Sequence, residues 1–187
     1  MYEHMKIIGL CGSASPKSST KKLIEAALEA AKRNGADVEF INIAKLDIKG
    51  CIACKECKKD QVLFCSQNDD MTELYTKVNE ADVILLGSPI YFGNISGQSK
   101  CFIDRTYAFF GSDGSKLKKG KNVAAIITHG HTVEGHYLDA ATLLTQGFGS
   151  SGAKILSPEF FGGLRNADDI TDAQLSRAQA LGEKLTE

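Results

Sequence analysis

Four of the chain's six cysteines lie within one short run, C-I-A-C-K-E-C-K-K-D-Q-V-L-F-C, with the spacing C-x2-C-x2-C-x7-C. Three thiols that are two residues apart can converge on one centre from a single loop, and a fourth can close the site. An iron–sulfur cluster needs such a supply of thiolates because its irons are held by cysteine sulfur. The spacing therefore predicts a metal centre, and its candidate ligands are Cys51, Cys54, Cys57 and Cys65.

Zinc and unligated thiols stay open as alternatives for the same residues. A tetrahedral zinc ion also takes four thiolates. Zinc sites usually have two separate C-x2-C pairs, whereas the two pairs here share Cys54. The compact run is closer to the spacing of bacterial ferredoxins, although its last gap is longer. A [4Fe-4S] cluster is the favoured interpretation.

Lysines surround the thiols, namely Lys49, Lys55, Lys58 and Lys59. Their charge would partly offset that of a four-thiolate cluster and would attract an acidic partner protein. A solvated lysine face is an equal alternative.

A second candidate site follows the first predicted strand, Lys6 to Cys11, at a loop that leads into an amphipathic helix. Backbone N–H groups and hydroxyls at a helix N-terminus bind anions, and the helix dipole favours negative charge there. We therefore predict a phosphate site, with simple helix capping as the alternative. Walker and dinucleotide glycine motifs are absent from this loop. The candidate residues are Ser13, Ser15, Lys17, Ser18, Ser19 and Thr20.

Two further loops are predicted to flank a planar ring. The first follows the strand Asp82 to Ser88 and combines a proline, adjacent aromatics and a glycine that permits close approach of a ligand. The second follows the strand Asn122 to Thr128 and begins H-G-H, for which a metal site is the lesser alternative. The candidate residues are Pro89, Ile90, Tyr91, Phe92, Gly93, Asn94, His129 and Gly130.

Alternation of apolar runs with amphipathic stretches predicts the fold that positions these loops. The second and fifth strands are predicted at Val38 to Ile43 and Ala153 to Phe161. We expect a doubly wound α/β domain with a five-stranded parallel sheet, flavodoxin-like, in the order 2-1-3-4-5. Such a sheet binds FMN where its strand order reverses. The cysteine-rich loop is predicted to be an insertion after strand 2. The first helix is predicted to follow the loop after strand one and to end at Asn34-Gly35. The other predicted helices are 71–81, 98–110, 137–148 and 171–184.

Composition narrows the class of protein. A net charge of −1 gives no general attraction to nucleic acid or to a membrane surface. No apolar run reaches membrane-spanning length, and the N-terminus lacks a signal-peptide pattern. Clustered cysteines in such a chain indicate a reducing compartment, so we expect a cytoplasmic location. We predict one domain over residues 1–187, with a cluster-binding segment at 48–67.

Several motifs together resemble the iron–sulfur flavoproteins, a branch of the NAD(P)H-dependent FMN reductase-like, flavodoxin-fold proteins. They are G-S-x5-S-T after strand one, the cysteine run, D-D-M, S-P-I-Y-F-G-N and K-x3-D-R. The resemblance implies FMN, a [4Fe-4S] cluster and a homodimer or homotetramer. It also implies electron transfer from a ferredoxin-like donor to a small-molecule acceptor, either an oxidant or a quinone.

Carried over by position, the resemblance gives roles to individual residues. The four cysteines of the run would ligate the cluster. The phosphate would be held by Ser13, Ser15, Ser19 and Thr20, and the isoalloxazine would be lined by Pro89, Tyr91, Phe92, Gly93 and Asn94. Relatives often carry arginine at the slot of Ser15 and asparagine at that of Ser19, so the phosphate would depend on hydroxyls, amides and Lys17 here.

The expected function is that of an FMN-dependent oxidoreductase or electron-transfer flavoprotein. No side-chain acid, base or nucleophile is required, because the cofactors carry the chemistry. A cluster-free NAD(P)H-dependent FMN or quinone reductase is the main alternative. A passive flavodoxin-like carrier and a zinc-stapled, non-enzymatic domain are the others.

Overall fold

The computed structural model describes residues 4–59, 61–112 and 114–187, so the predicted domain 1–187 and segment 48–67 each include residues outside these ranges. A mostly parallel sheet lies between two layers of helices. The strands are β1 (Lys6–Cys11), β2 (Asp37–Ile41), β3 (Val83–Tyr91), β4 (Asn94–Ile95), β5 (Asn122–Thr128), β6 (Lys154–Ile155) and β7 (Glu159–Phe161). The helices are α1 (Ser19–Arg33), α2 (Met71–Glu80), α3 (Gly97–Arg105), α4 (Leu138–Ser150) and α5 (Asp172–Lys184).

The sheet has the order β2-β1-β3-β5-β6, with β7 also pairing with β5 and β4 pairing with β3. The predicted flavodoxin-like parallel α/β sheet is confirmed, but the prediction of five strands in the order 2-1-3-4-5 is wrong. One reason is that β3 runs beyond Ser88 and turns back through Phe92 and Gly93 into the antiparallel β4. The other is Pro158, which lies in the break between β6 and β7 and lacks the N–H that a continuous ladder requires.

Two apolar cores form on opposite faces of the sheet. Side chains alternate along β1, so that Ile8 and Leu10 join the core under α2, α3 and α4, while Ile7 and Cys11 join the core under α1 and α5. This is the pattern of a parallel strand that is covered on both faces. At Gly9 a Cβ atom would lie 2.7 Å from Ile24 Cγ2, so the glycine permits close packing of α1 on the sheet.

The ends of β2 and α3 also depart from the prediction. Strand β2 ends at Ile41 because the side chain of Asn42 accepts a hydrogen bond from the Ala44 N–H and starts a 3-10 turn. Helix α3 ends at Arg105 and continues as a 3-10 turn over Thr106–Phe109. Cys101 is partly buried on α3. Among the described residues, no helix has the length and apolar character needed to cross a bilayer.

A buried lysine makes folding stability depend on pH. Lys121 is fully buried, donates to the Ala81 carbonyl and lies near Lys118 and Asp82; burial lowers its pKa to about 8. The unfolded chain holds this proton up to about pH 10.4. Between these values the unfolded state binds more protons, so the free energy of unfolding should rise with pH by about 3 kcal/mol. Lys121→Met should flatten that rise in urea titrations, whereas a Lys119→Met control should keep it. An unchanged rise in Lys121→Met would contradict the assignment.

Candidate functional site

Three loops meet in a cleft at the carboxyl edge of the sheet. Strands β1, β3 and β5 are adjacent and parallel, so the loops that follow them lie side by side. The residues that line the cleft are Ser13, Ser15, Lys17, Ser18, Ser19, Thr20, Pro89, Ile90, Tyr91, Thr128, His129, Gly130, Leu164 and Arg165. Eleven of the fourteen predicted cofactor residues are therefore brought together, while their binding role stays a prediction.

The first loop presents an uncompensated helix N-terminus to this cleft. Ser18 is the N-cap of α1, and its hydroxyl accepts a hydrogen bond from the Lys21 N–H at 3.0 Å. The capping alternative therefore holds for Ser18. In the described part of the chain, the hydroxyls of Ser13, Ser15 and Ser19 have no hydrogen-bond partner, and the first turn of α1 contains no acidic residue. The loop thus has free hydroxyl donors and a favourable dipole for an anion.

Two cations lie beside this loop. Lys17 forms an exposed ion pair with Asp168, with 3.1 Å between Nζ and Oδ2. Arg165 lines the cleft on the loop after β7, where its backbone N–H donates to Asp169 at 2.8 Å. Among the described residues, no ion pair engages the Arg165 guanidinium. Arg165 thus brings a cation to the cleft from a loop that is distant in the sequence.

Sequence reasoning missed Thr128, Leu164 and Arg165 as cleft residues. A signal for the last two was present, because Gly162-Gly163 ends the last strand at the same edge as the other three loops. Thr128 closes β5, and its hydroxyl lies 2.6 Å from that of Thr20, which fixes the start of α1 against the sheet.

A buried hydroxyl network holds the second loop against the first. The Ser96 hydroxyl donates to the Gly12 carbonyl at 2.6 Å, and the Ser99 hydroxyl donates to that of Ser88 at 3.0 Å. Both of these loops are thus tied to the beginning of α3. Pro89, Ile90 and Tyr91 then face the cleft, where an apolar wall for a planar ring is available.

Phe92, Gly93 and Asn94 lie outside the cleft lining, at the tip of the β3–β4 hairpin. Phe92 has a left-handed backbone with φ +48°, and Gly93 has φ +80°. The Phe92 side chain is fully exposed. Their contact with a cofactor ring stays a prediction.

His129 shapes the third loop from within. Its ring is buried, with Nδ1 3.0 Å from the His131 carbonyl and Nε2 2.9 Å from the Glu134 carbonyl. The rings of His131 and His136 stack with centroids 3.9 Å apart. In residues 4–59, 61–112 and 114–187, no group of three His, Cys, Asp or Glu side chains could hold a single metal ion, which leaves the histidine metal alternative unsupported.

The cysteine segment is a shaped loop between β2 and α2. Cys51 and Cys54 are exposed, Cys65 is partly buried and Cys57 is buried. The residues on either side of Cys54 both have left-handed backbones, with φ of 54° at residue 53 and 60° at residue 55. Such conformations cost roughly 1–3 kcal/mol each and persist where the surroundings impose them, often at functional sites.

Two lysines fix this loop to the rest of the protein through hydrogen bonds to backbone carbonyls. Lys58 donates to the carbonyls of Tyr107 at 3.0 Å and Phe110 at 2.5 Å. Lys116 donates to the carbonyls of Cys57 at 2.9 Å and Val62 at 2.7 Å. Lys58 therefore points toward the protein and belongs to neither alternative proposed for the lysines, a solvated face or a docking surface.

Four cysteine sulfurs on one loop are the donor set of a thiolate metal centre. Burial raises the pKa of Cys57, the charge of Lys58 lowers it, and the charges of Cys65, Cys51 and Cys54 raise it. No trio of these side chains, where described, is close enough to share one ion. Four thiolates suit a [4Fe-4S] cluster and a tetrahedral zinc ion alike, so the cluster stays a prediction here.

Comparison with known proteins identifies the family to which the chain belongs. The model of the family described as NADPH-dependent FMN reductase matches residues 5–164. The chain belongs to this FMN reductase family. An iron–sulfur flavoprotein of Archaeoglobus fulgidus is 30% identical over 188 residues, covering 98% of this chain and 80% of that protein. The predicted membership in the iron–sulfur flavoproteins within the FMN reductase family is thereby confirmed.

Other relatives of this FMN reductase family member match shorter stretches. An iron–sulfur flavoprotein of Methanocaldococcus jannaschii is 42% identical over 102 residues, which are 54% of this chain and 52% of that protein. One of Methanosarcina thermophila is 38% identical, with the same coverage. The matched segment thus spans about half the length of these two relatives.

Solved structures show the same fold. An NAD(P)H:quinone oxidoreductase from Methanothermobacter marburgensis superposes with a TM-score of 0.78 at 20% identity, covering 98% of this chain and 97% of that one. A flavodoxin from the domain Archaea gives a TM-score of 0.63 at 19% identity, with 97% and 96% covered. At these identities the likeness concerns the fold alone.

Proposed function

We propose that this chain is an FMN-dependent oxidoreductase that passes electrons between a [4Fe-4S] cluster and FMN. The observation that carries the proposal is structural. Helix α3 begins directly after the second loop of the cleft, the one that follows β3. It ends at Arg105, whose side chain donates to the Lys49 carbonyl at the start of the cysteine segment. Both predicted cofactor sites are therefore attached to one element, about 13 Å long at 1.5 Å per residue.

The FMN phosphate would lie at the N-terminus of α1. Within the described ranges, the hydroxyls of Ser13, Ser15 and Ser19 have no hydrogen-bond partner, and Arg165 on the loop after β7 has no ion pair. The isoalloxazine would pack against residues 89–91, with the loop that His129 stabilises on its other side. These residues bind and orient, and no side chain is needed as acid or base.

The cluster would be held by Cys51, Cys54, Cys57 and Cys65. When bound, it supplies one-electron exchange, and FMN supplies two-electron storage. Lys58 and Lys116 hold the cysteine loop in place and add positive charge under it. That charge offsets part of the negative charge of four thiolates.

We further propose a ferredoxin-like donor and a small oxidant or quinone as acceptor. The exposed Lys49, Lys55 and Lys59 would attract an acidic donor. Ile52 and Leu63 are 66% and 70% exposed beside the cysteines. Exposed apolar side chains at this place support a homodimer or homotetramer in which this loop contacts another subunit.

The runner-up is a cluster-free NAD(P)H-dependent FMN or quinone reductase, which the description of the family favours. Anaerobic stopped-flow mixing separates the two functions. A reduced two-cluster ferredoxin should bleach the flavin rapidly, and NADPH should do so far more slowly. Rapid bleaching by NADPH, with none by ferredoxin, would instead support the simple reductase.

A further inference from the structure

A buried ion pair closes the base of the cysteine loop. Arg105 is the last residue of α3, and its guanidinium binds both carboxylate oxygens of Asp69, with Nη1–Oδ2 2.6 Å and Nη2–Oδ1 3.1 Å. The two side chains are 1% and 0% exposed. A bidentate, fully desolvated pair of this kind fixes geometry strongly, because removal of either partner leaves a buried charge.

The pair joins the two ends of the loop to each other. Nη1 of Arg105 also donates to the Lys49 carbonyl at 2.9 Å, and the Lys49 N–H donates to Asp69 Oδ2 at 3.1 Å. One step outward, the Asp47 N–H donates to Asp70 Oδ2 at 2.7 Å. We call Arg105, Asp69 and the Lys49 backbone the clasp. All four cysteines lie on the chain between its two ends.

Tyr75 connects the clasp to the surroundings of one cysteine. Its hydroxyl donates to the Arg105 carbonyl at 2.7 Å, and Cys65 packs against the apolar core that contains Tyr75. Burial raises the pKa of Tyr75, and the charge of Cys65 raises it as well. The charge of Cys65 acts on Arg105 as well. Nε of Arg105 is buried and, among the described residues, has no hydrogen-bond partner. The buried Arg105 guanidinium thus keeps one unused donor, and the charge of Cys65 is among those that raise its pKa.

We propose that Arg105 and Asp69 are positioning residues that hold the cysteine loop in its cluster-binding shape and set the reduction potential of the cluster. The proposal rests on the proposed function. Reduction adds one electron from an external reductant, forms and breaks no bond, and makes the site more negative by one charge. A buried positive charge nearby therefore favours reduction, and a buried negative charge opposes it.

The test uses the full chain, purified without oxygen and titrated with dithionite at pH 8 while the cluster is followed by electron paramagnetic resonance. Asp69→Asn leaves Arg105 uncompensated, so the potential should rise. Arg105→Gln leaves Asp69 uncompensated, so the potential should fall. Lys100 and Asp104 form an exposed pair on the same helix, and Lys100→Gln and Asp104→Asn should leave the potential unchanged.

Opposite shifts distinguish charge tuning from mere loosening of the loop. Shifts of the same sign in both variants, or no shift beyond that of the exposed pair, would overturn the proposal. Arg105→Lys keeps the charge but loses the two-pronged contact. It should retain the wild-type potential and lose iron to a chelator several-fold faster. If Arg105→Gln does not fold, the other two variants decide the question. A higher reduction potential in Asp69→Asn, together with faster iron loss from Arg105→Lys, supports the clasp. An unchanged potential in Asp69→Asn refutes it.

Failure of the proposed function gives a different outcome. If the wild-type chain binds FMN but no iron, the electron-transfer function and the tuning role both fall. If the wild-type chain holds a full cluster and only the opposite shifts are missing, the function stands and the role of the clasp alone is wrong.

Discussion

Replacement of Cys54 by serine is expected to abolish iron binding while FMN stays bound. Cys54 is one of four predicted ligands and lies between two residues with left-handed backbones. Serine is a poor ligand for cluster iron, which is held by thiolates. The cleft is built by other loops, so its occupancy should not change. Iron should fall from about four per chain to near zero, and the flavin content should remain that of the wild type.

Cys101→Ser is the matched control, because Cys101 lies on α3 outside the cysteine segment. It should keep the full iron content and the wild-type absorption spectrum. Iron retained by Cys54→Ser at the wild-type level, with an unaltered spectrum, would show that this thiol is not a ligand. Equal loss of iron in both variants would point to general damage instead.

Ser15→Asp is expected to weaken FMN binding by about a hundred-fold or more. The new carboxylate would face the phosphate at the N-terminus of α1. Like charges about 4 Å apart repel by about 4 kcal/mol at an effective dielectric constant of 20, and screening reduces this. Even half of that energy corresponds to about thirty-fold in Kd, and the phosphate carries more than one charge. Quenching of flavin fluorescence measures the affinity.

Riboflavin provides the internal control, because it has the ring but no phosphate. Its affinity for Ser15→Asp should match that of the wild type, and Ser15→Asn should bind FMN with little loss. Arg165→Ala should weaken FMN binding, by less than Ser15→Asp does, and spare riboflavin. Equal losses for FMN and riboflavin in Ser15→Asp would place the phosphate elsewhere.

The sheet could be predicted as far as its strands are long and buried. The apolar runs that became β1, β3 and β5 are continuous because both of their faces are covered, so they stand out in one sequence. The two-residue β4 and the divided β6 and β7 could not be predicted. Such short pairings depend on the partner strand and on Pro158, and no periodicity develops over two or three residues.

The candidate site, like the sheet, could be predicted only in part. Loops after the long strands could be assigned to one edge, and the structure brings most of their residues together. Arg165 was missed because the loop after the last strand carries no binding motif, and its Gly162-Gly163 break was used only to end the strand. The clasp was missed because Arg105 and Asp69 meet only through tertiary packing. The four cysteines are evident in the sequence. The contact that joins the two ends of their loop is made by Arg105 on α3, which follows much later in the chain.

The most direct test of the central claim is the cofactor content of the chain purified without oxygen. Iron, sulfide, zinc and flavin are measured per chain, together with an absorption spectrum. We expect about four irons, about four sulfides and one FMN, with little zinc. One FMN without iron, or about one zinc per chain, would contradict the iron–sulfur assignment and favour the cluster-free reductase.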